Sequence, residues 1–312
     1  MKRFVSIGEC MIELSGAEDD LWRMGIAGDT LNTAWYARAC LPADWAVAYG
    51  TCIGANEISS RVPAFLAENG IETDRIFTHP SRSIGLYVIS LQDGERSFSY
   101  WRDTSAARTL ADDPDRLVAM TAEAQVIHVS GITLAILPPA GRETLLDVLR
   151  QRRREGATIA FDPNLRPALW EDLPTAADTM KDAARVASVV LPSFDDEVLA
   201  FGDRTPDDTI DRYAGLGAEI VAVKNGGSKM HIFKDGDRQV FHPPARLDPV
   251  DTTGAGDSFN GAFLAALACG ASLQNALASG HRVARSVVNR HGALMPMDLV
   301  REIQAADTAS QN

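Results

Sequence analysis

The second half of the chain alternates short apolar runs with helical segments, and this alternation constrains the fold more than any other feature of the sequence. The apolar runs are Val126–Val129, Ala157–Asp162, Ser188–Leu191 and Ile220–Lys224, and the helical segments between them include Pro139–Arg154, Ala176–Val186 and Pro206–Leu216. Strands and helices that alternate in this way are typical of a mostly parallel sheet covered by helices. The sequence therefore predicts one α/β domain over residues 1–312.

An earlier pair of strands departs from the alternation. Ser83–Leu91 and Arg96–Trp101 flank the sequence Gln92-Asp93-Gly94-Glu95, in which Asp-Gly favours a tight hairpin turn. Together with extended residues that follow Cys10, the hairpin predicts a small β lid over one edge of the main domain, formed by about residues 10–26 and 82–104. The remaining early elements are strands at Phe4–Gly8 and Ala46–Tyr49 and helices at Thr30–Ala39, with Asp29 or Thr30 as its cap, and Ile58–Glu68.

Composition excludes several classes of protein. The net charge of -12 and the pI of about 5.0 argue against a nucleic-acid partner or an anionic membrane surface. The four cysteines have no paired CxxC spacing, so we expect free thiols in a reducing cytoplasm. The first residues run directly into a strand pattern rather than a signal peptide, and no uncharged stretch is long enough to span a bilayer.

The run Asp251-Thr252-Thr253-Gly254-Ala255-Gly256-Asp257 combines several features that phosphoryl transfer requires. Gly254, Ala255 and Gly256 are small enough for backbone N–H groups to converge on an anion, and the periodic apolar segment after them predicts a helix whose N-terminus attracts anions. Asp257 stands at that helix start. A carboxylate there repels a phosphate, so its presence is best explained if it accepts a proton from an attacking hydroxyl. We expect the helix N-terminus to lower the pKa of Asp257, which makes it a weak base that still suffices when proton transfer comes late. The alternative is that Asp257 only caps the helix.

The whole run resembles the C-terminal signature of the ribokinase-like (phosphofructokinase-B) carbohydrate kinases, and the resemblance extends from the first strand to Gly292-Ala293. It implies a ribokinase-like fold, ATP and Mg²⁺ as cofactors, Asp257 as the proton acceptor, and charge stabilisation by Gly254–Gly256. A monovalent cation is a further candidate cofactor, and the lid is a candidate surface for a homo-oligomer. The chain contains no GxxxxGK[ST] loop and no GxGxxG after its first strand, so the nucleotide sites built on those motifs are not expected.

The resemblance also assigns residues to a sugar site. One sequence motif resembles the 2-keto-3-deoxygluconate kinase branch of the family, namely Gly28-Asp29-Thr30-Leu31-Asn32-Thr33. The resemblance implies that Gly28, Asp29 and Asn32 contact hydroxyl or oxo groups of the sugar. Ala27 replaces a family glycine, so we expect a stiffer connection to the lid. The alternative for this segment is an ordinary turn into a helix.

On the lid, Tyr87, Tyr100 and Arg102 are the predicted substrate residues. Period-two alternation places Tyr100 and Arg102 on one face of the strand and Trp101 on the other. A phenol beside a guanidinium suits a ligand with hydroxyls and a carboxylate, because arginine binds carboxylates through two hydrogen bonds. Arg166, in the loop after the strand that ends at Asp162, is expected to meet the sugar acid or the transferring phosphoryl group. A solvent-exposed strand face is the alternative for the lid residues.

The nucleotide site follows from the same resemblance. Asn164 is expected at the phosphates or their metal, and Ser193 and Asp196 occupy the places of a family N-x-x-E pattern, Ser193 as a nucleotide contact and Asp196 as a metal candidate. The other predicted nucleotide residues are Lys224, Gly226, Gly227, Gly254, Gly256 and His281, the last beside the adenine. The alternatives are loop caps for Asn164, a helix start for the acidic cluster, and a hairpin turn into Met230–Phe233 for the glycines.

These residues together indicate an ATP- and Mg²⁺-dependent sugar-acid kinase, which by the resemblance phosphorylates 2-keto-3-deoxygluconate to its 6-phosphate. A fructokinase of the same family is the main alternative. A non-catalytic sugar-sensing protein on the same scaffold is another, but a sensor has no need of the proton acceptor Asp257.

Overall fold

Two β-sheets organise the chain in the computed structural model, which describes residues 1–16, 21–92, 95–244 and 248–310. The strands are β1 (Lys2–Ile7), β2 (Met11–Gly16), β3 (Trp22–Ala27), β4 (Trp45–Gly54), β5 (Ile76–His79), β6 (Gly85–Gln92), β7 (Glu95–Trp101), β8 (Val126–Ser130), β9 (Thr158–Asp162), β10 (Val189–Val190), β11 (Ile220–Val223), β12 (Met230–Lys234) and β13 (Asp237–Phe241). The helices are α1 (Asp29–Cys40), α2 (Glu57–Glu68), α3 (Pro114–Thr121), α4 (Gly131–Ile136), α5 (Pro139–Arg154), α6 (Leu173–Val186), α7 (Phe194–Phe201), α8 (Pro206–Gly215), α9 (Ala255–Ala268), α10 (Leu273–Val287) and α11 (Met297–Ser310).

The larger sheet has the strand order β13-β12-β11-β10-β9-β8-β1-β4-β5. From β11 to β5 neighbouring strands run parallel, and β12 and β13 add an antiparallel edge. The predicted mostly parallel sheet is therefore confirmed. Because the strands are parallel, the loops after β9, β10 and β11 leave the same edge of the sheet, which is where open α/β sheets bind ligands.

Each face of this sheet is covered by helices. Phe4 packs into a buried cluster with residues of α1, α9 and α10, whereas its neighbour Val5 packs into a second cluster with residues of α3, α5 and α6. Successive side chains of a strand point to opposite faces, so a strand buried on both sides is apolar throughout. Among the residues that the structure describes, no helix has the length and apolar character that crossing a bilayer requires.

The second sheet is small and has the order β3-β2-β6-β7. Its β2–β3 and β6–β7 pairs are antiparallel, while β2 and β6 run parallel to each other. The additional sheet that the hairpin pattern predicts near the N-terminus is thus present, with strands inside the predicted ranges 10–26 and 82–104 except for the last residue of β3. The turn residues Asp93 and Gly94, and residues 17–20 of the predicted lid, lie outside the described part of the chain.

Some predicted boundaries were wrong. The N-cap of α1 is Gly28, not Asp29 or Thr30, and Asp29 is the first helical residue. The strand predicted at Ala46–Tyr49 runs from Trp45 to Gly54 and is buried throughout. Its two glycines are not turn residues: a Cβ at Gly50 would lie 2.5 Å from the sulfur of Met120, so the missing side chain makes room for helix α3.

Candidate functional site

The start of α9 is a tight turn that is held from both sides. Gly254 is the N-cap and has a φ of 74°, in the left-handed region that favours glycine. A Cβ at Gly254 would lie 2.9 Å from the carbonyl oxygen of Ala293, so the turn also needs the small residue for close approach. Asp251 accepts hydrogen bonds from the backbone of Thr253 (3.0 Å) and of Gly292 (2.8 Å), and thereby ties the turn to the loop before α11.

Asp257 lies in the first turn of α9, half-buried, with its Oδ2 atom accepting a hydrogen bond of 2.8 Å from Asn32 Nδ2. Burial first of all, and then the carboxyls of Asp29 and Asp162, raise the pKa of Asp257 to about 7 against the opposing effects of Asn32 and Lys224. The expectation of a lowered pKa is therefore wrong. The helix N-terminus is outweighed because the fold places other carboxyls around Asp257 and removes water from it.

Asp29 faces the same space from the first turn of α1. Its Oδ2 atom accepts a hydrogen bond of 2.9 Å from Asn164 Nδ2, and burial raises its pKa. Asn164 has a positive φ of 34°, which folds the loop after β9 back toward α1. Gly28 allows α1 to start here, since a Cβ would lie 2.4 Å from the carbonyl oxygen of Glu9.

A buried ion pair stands beside Asp257. Asp162, the last residue of β9, accepts a hydrogen bond of 2.8 Å from Lys224 Nζ and one of 2.6 Å from Asn260 Nδ2, both at Oδ2. The sequence analysis assigned neither Asp162 nor Asn260 a role in the site: Asp162 ends a predicted strand, and Asn260 lies in the helix predicted after the glycine turn. No local pattern reveals this contact, because Asp162 and Asn260 are 98 residues apart in sequence.

The predicted nucleotide residues converge on one cavity of about 320 Å³ at the carboxyl edge of the sheet. The predicted residues in its wall are Ser193, Lys224, Gly226, Gly227, Gly256 and His281. Phe259, Ala284 and Val288 add apolar surface that the sequence did not indicate. Among the residues described, Gly254 and Asn164 do not belong to this wall and lie on the Asp257 side of it.

Burial lowers the pKa of His281, with the nearby Arg285 acting in the same direction, so its imidazole is neutral at pH 7. Its Nε2 atom is buried and has no hydrogen-bond partner among the described residues. A neutral imidazole in this wall can therefore offer one nitrogen to a bound base.

Asp196 and Arg166 lie near each other beyond Asp162. Asp196 Oδ2 accepts a hydrogen bond of 3.2 Å from the backbone of Leu165, and burial raises its pKa against the effect of Arg166. The side chain of Arg166 is exposed and donates to the carbonyl oxygen of Leu165 (2.7 Å). In the described part of the chain, no three His, Cys, Asp or Glu side chains form a metal-binding cluster, and Asp196 stays a predicted metal ligand.

The small sheet presents an acidic and aromatic face. Tyr87 donates its hydroxyl hydrogen to Glu13, and its ring packs against that of Tyr100 at 5.8 Å. The Arg102 guanidinium lies over Tyr100 at 5.9 Å, as expected for residues on one face of the strand, and Trp101 is exposed. Arg102 Nε also donates to the buried Glu9 (2.8 Å), a partner that the sequence did not indicate, so its charge is already paired.

With an acceptor carboxyl, a glycine turn and a neighbouring cavity on an α/β sheet, the molecule has the parts of a phosphotransferase. The chain belongs to the pfkB family of carbohydrate kinases, whose model matches residues 1–298. The predicted family and its ribokinase-like fold are thus confirmed.

The chain is similar to several named carbohydrate kinases over most of its length. The chain is 36% identical to the 2-dehydro-3-deoxygluconokinase of Haemophilus influenzae, over 98% of this chain and 99% of that protein. It is 37% identical to the enzyme of the same name from Dickeya dadantii, over 95% and 98%. A fructokinase of Vibrio alginolyticus is less similar, at 29% identity over 75% and 78%. Among solved structures, an Escherichia coli protein provisionally named ribokinase II, in complex with ATP and Mg²⁺, superposes with a TM-score of 0.82 at 20% identity, covering 98% of this chain and 99% of that one.

Proposed function

We propose that this protein is an ATP-dependent kinase that phosphorylates 2-keto-3-deoxygluconate at its terminal hydroxyl to give the 6-phosphate. One observation carries the proposal: Asp257 is a half-buried carboxyl with a pKa of about 7, and it stands between a nucleotide-sized cavity and the polar groups of α1. A carboxyl in this state can take a proton from a hydroxyl near neutral pH. The relatives named 2-dehydro-3-deoxygluconokinase supply the choice of sugar.

Asp257 accepts the proton of the sugar hydroxyl as that oxygen attacks the terminal phosphorus of ATP, and the bond from this phosphorus to the bridging oxygen breaks so that ADP leaves. Asn32 holds the Oδ2 atom of Asp257 through its amide, which leaves Oδ1 for the sugar. The backbone N–H groups of Gly254–Gly256, at the positive end of α9, stabilise the charge that develops on the transferring group. Gly28 and Asp29 bind the sugar from the start of α1.

The nucleotide occupies the cavity of about 320 Å³. Its phosphates lie against Lys224, Gly226 and Gly227, and its base lies toward His281 and the apolar wall. Ser193 contacts the nucleotide from the start of α7.

Mg²⁺ fits the donors that lie beside this cavity. Asp196 and Asn164 supply carboxylate and amide oxygens, and Mg²⁺ needs only one or two such protein ligands when phosphates and waters complete its shell. When bound, the ion would offset phosphate charge in a site that already holds the carboxyls of Asp29, Asp162 and Asp257.

The carboxylate of the sugar acid needs a cation, and the two arginines of the predicted substrate site are the candidates. Arg166 is exposed on the loop after β9, while Arg102 lies on the small sheet beside Tyr87 and Tyr100 and is paired with Glu9. We assign the acid to these two arginines. In this proposal the small sheet closes over the sugar as a lid. The free thiols of all four cysteines fit the cytoplasmic location that belongs to the same proposal.

The test is ADP release by the purified protein with ATP, Mg²⁺ and either 2-keto-3-deoxygluconate, fructose or ribose. The proposal expects the highest kcat/KM for the keto-deoxy acid and formation of its 6-phosphate. Preference for fructose would make the protein a fructokinase. Sugar binding without ADP release for any of the three would make it a sensor.

Arg102→Ala and Arg166→Ala form a matched pair that tests the substrate class. Loss of a charge-assisted hydrogen bond to the acid should lower kcat/KM for the keto-deoxy acid by roughly 10- to 150-fold, with a much smaller loss for a neutral sugar. Arg102→Lys should not restore full activity, because an ammonium lacks the planar pair of donors. Equal losses for acid and neutral sugars in both variants would remove the assignment of a sugar acid.

A further inference from the structure

Lys224 is a cation in the wall of the nucleotide cavity that lies next to the start of α9. It follows β11, lines the cavity, and its Nζ atom lies 3.5 Å from where a Cβ of Gly256 would stand. The ammonium is therefore next to the turn that the proposed function assigns to charge stabilisation. A lysine side chain is long and flexible, so something has to hold it there.

Two residues hold the ammonium. Asp162, only 3% exposed, accepts from Nζ at 2.8 Å, and the fully buried Asn260 accepts through Oδ1 at 3.2 Å. Asn260 also donates to the same oxygen of Asp162 at 2.6 Å, so the three side chains form a closed triangle. Asn260 is three residues after Asp257 on α9, and residues at this spacing lie on the same face of a helix.

Asp162 is connected to the sugar side as well. Its Oδ1 atom accepts a hydrogen bond of 3.2 Å from the backbone of Asn164, whose side chain donates to Asp29. Asp29 and Asn32 belong to the same helix, and Asn32 donates to Asp257. Asp162 thus holds Lys224 through Oδ2 and, through Oδ1, the loop after β9 that reaches α1.

We propose that Asp162, together with Asn260, is a positioning residue for phosphoryl transfer: it holds the Lys224 ammonium where the terminal phosphate of the nucleotide meets the sugar hydroxyl. The proposal rests on the proposed kinase function. Asp162 and Asn260 do not themselves contact a substrate; they order a side chain that would otherwise lose conformational entropy on binding.

A buried ion pair can also be merely structural, and the chain offers a matched control. Asp203 is 8% exposed and binds Arg212 Nη1 at 2.7 Å, between α7 and α8 and outside the cavity wall. Replacing either aspartate by asparagine removes one charge from a buried pair. Only the Asp162 pair is expected to act on the nucleotide.

The experiment is a double-mutant cycle with Asp162→Asn, Lys224→Met and both together, read out by kcat/KM for ATP and by binding of a non-hydrolysable ATP analogue. Asp162→Asn should lower kcat/KM for ATP by about 10- to 100-fold, the scale of a misplaced catalytic group. In the Lys224→Met background the same substitution should cost less than about threefold, because the group through which it acts is gone. Asp203→Asn should lower the melting temperature yet keep kcat/KM within about twofold.

Equal losses from Asp162→Asn in the two backgrounds would overturn the inference, and so would a loss from Asp203→Asn as large as that from Asp162→Asn. If Asp162→Asn does not fold, Asn260→Ala takes its place in the cycle. Its loss of kcat/KM for ATP should likewise be much smaller in the Lys224→Met background than in the wild type. Wild-type protein that neither binds the analogue nor releases ADP would instead reject the proposed function. If the wild type is active but the effects of Asp162→Asn and Lys224→Met simply add, only the positioning role of Asp162 is rejected.

Discussion

Two carboxyls of this protein, Asp257 and Glu197, have pKa values far above the ordinary range, yet their surroundings differ. The pKa of Asp257 is raised to about 7 and that of Glu197 to about 8, in each case first of all by burial. Both residues lie in the first turn of a helix, where a carboxylate is ordinarily stabilised. Their pKa values alone do not show which of them serves the reaction.

The two carboxyls differ in their hydrogen-bond partners. Glu197 accepts hydrogen bonds of 2.9 Å from the hydroxyl of Tyr213 and one of 3.1 Å from Arg212, which itself binds Asp203. Within the described residues, the Asp257 carboxyl accepts a side-chain hydrogen bond from the amide of Asn32, and the carboxyls of Asp29 and Asp162 lie near it. Glu197 is thus hydrogen-bonded to side chains of α8 through both of its oxygens, whereas Asp257 receives its side-chain hydrogen bond at Oδ2.

A perturbed pKa therefore indicates a functional residue only where the group also has an unused hydrogen-bonding atom and an adjacent cavity. A buried carboxyl that is fully hydrogen-bonded to an arginine and a tyrosine joins two helices. A carboxyl held on one side only, next to a cavity, can exchange a proton with a ligand.

Asp257→Asn should have the largest effect. The amide keeps the shape and the contact with Asn32 but cannot accept the proton, so turnover should fall by roughly two to four powers of ten. Calorimetry should show that nucleotide and sugar still bind. Unchanged turnover would show that Asp257 is not the proton acceptor and that it does not differ in function from Glu197.

The pH dependence of the wild type should come next in size. Because Asp257 must be ionised to accept a proton, kcat/KM should fall about tenfold for each pH unit below about 7 and level off above that pH. The residual activity of Asp257→Asn should lack this acidic limb. A wild-type profile that stays flat from about pH 5 to 8 would contradict the assignment.

Glu197→Gln should affect activity least, within about twofold, since its carboxyl belongs to the cluster between α7 and α8 and not to the cavity wall. Its effect should appear in stability instead. The pKa of Glu197 is higher in the folded protein (about 8) than its ordinary value of 4.5, so the unfolded chain releases this proton first as pH rises. The wild type therefore loses stability from this group between about pH 4.5 and 8.

Glutamine has no such titration, so the melting temperature of Glu197→Gln relative to the wild type should increase across that pH window. At the acidic end the variant should be less stable by about 1–3 kcal/mol, because the amide satisfies Arg212 and Tyr213 less well than the carboxyl does. A difference in melting temperature that is independent of pH would show that Glu197 is ionised in the folded protein. Matched measurements on Asp203→Asn give a control from the same cluster.

The sequence predicted the architecture well because apolar period and turn chemistry are local properties. The alternation after Ala124 gave the parallel sheet, and the Asp-Gly pair gave the hairpin of the small sheet. The strand predicted at Ala46–Tyr49 ended just before Gly50, and only the structure shows that Met120 fills the space of a side chain at Gly50. A single glycine can therefore end a strand or lie within one.

The motifs singled out several residues that the structure brings together, but they did not indicate the electrostatics around those residues. Motifs identified Asp257, Lys224 and the glycines, yet the pKa of Asp257 depends on Asp29 and Asp162, which are remote in sequence. The pairing of Arg102 with Glu9, across 93 residues, was equally invisible. Such contacts follow from topology, because parallel strands end at one edge of the sheet and bring their following residues together.

The most direct test of the account is the titration of the Asp257 carboxyl itself, followed by its ¹³C NMR signal in the ligand-free protein and assigned by its absence in Asp257→Asn. We expect a midpoint near pH 7. In Asp162→Asn the midpoint should move to lower pH, because a neighbouring negative charge has been removed. A midpoint near the ordinary value of 3.8 would mean that the helix N-terminus prevails, and would contradict the claim that Asp257 is an acceptor poised near neutral pH.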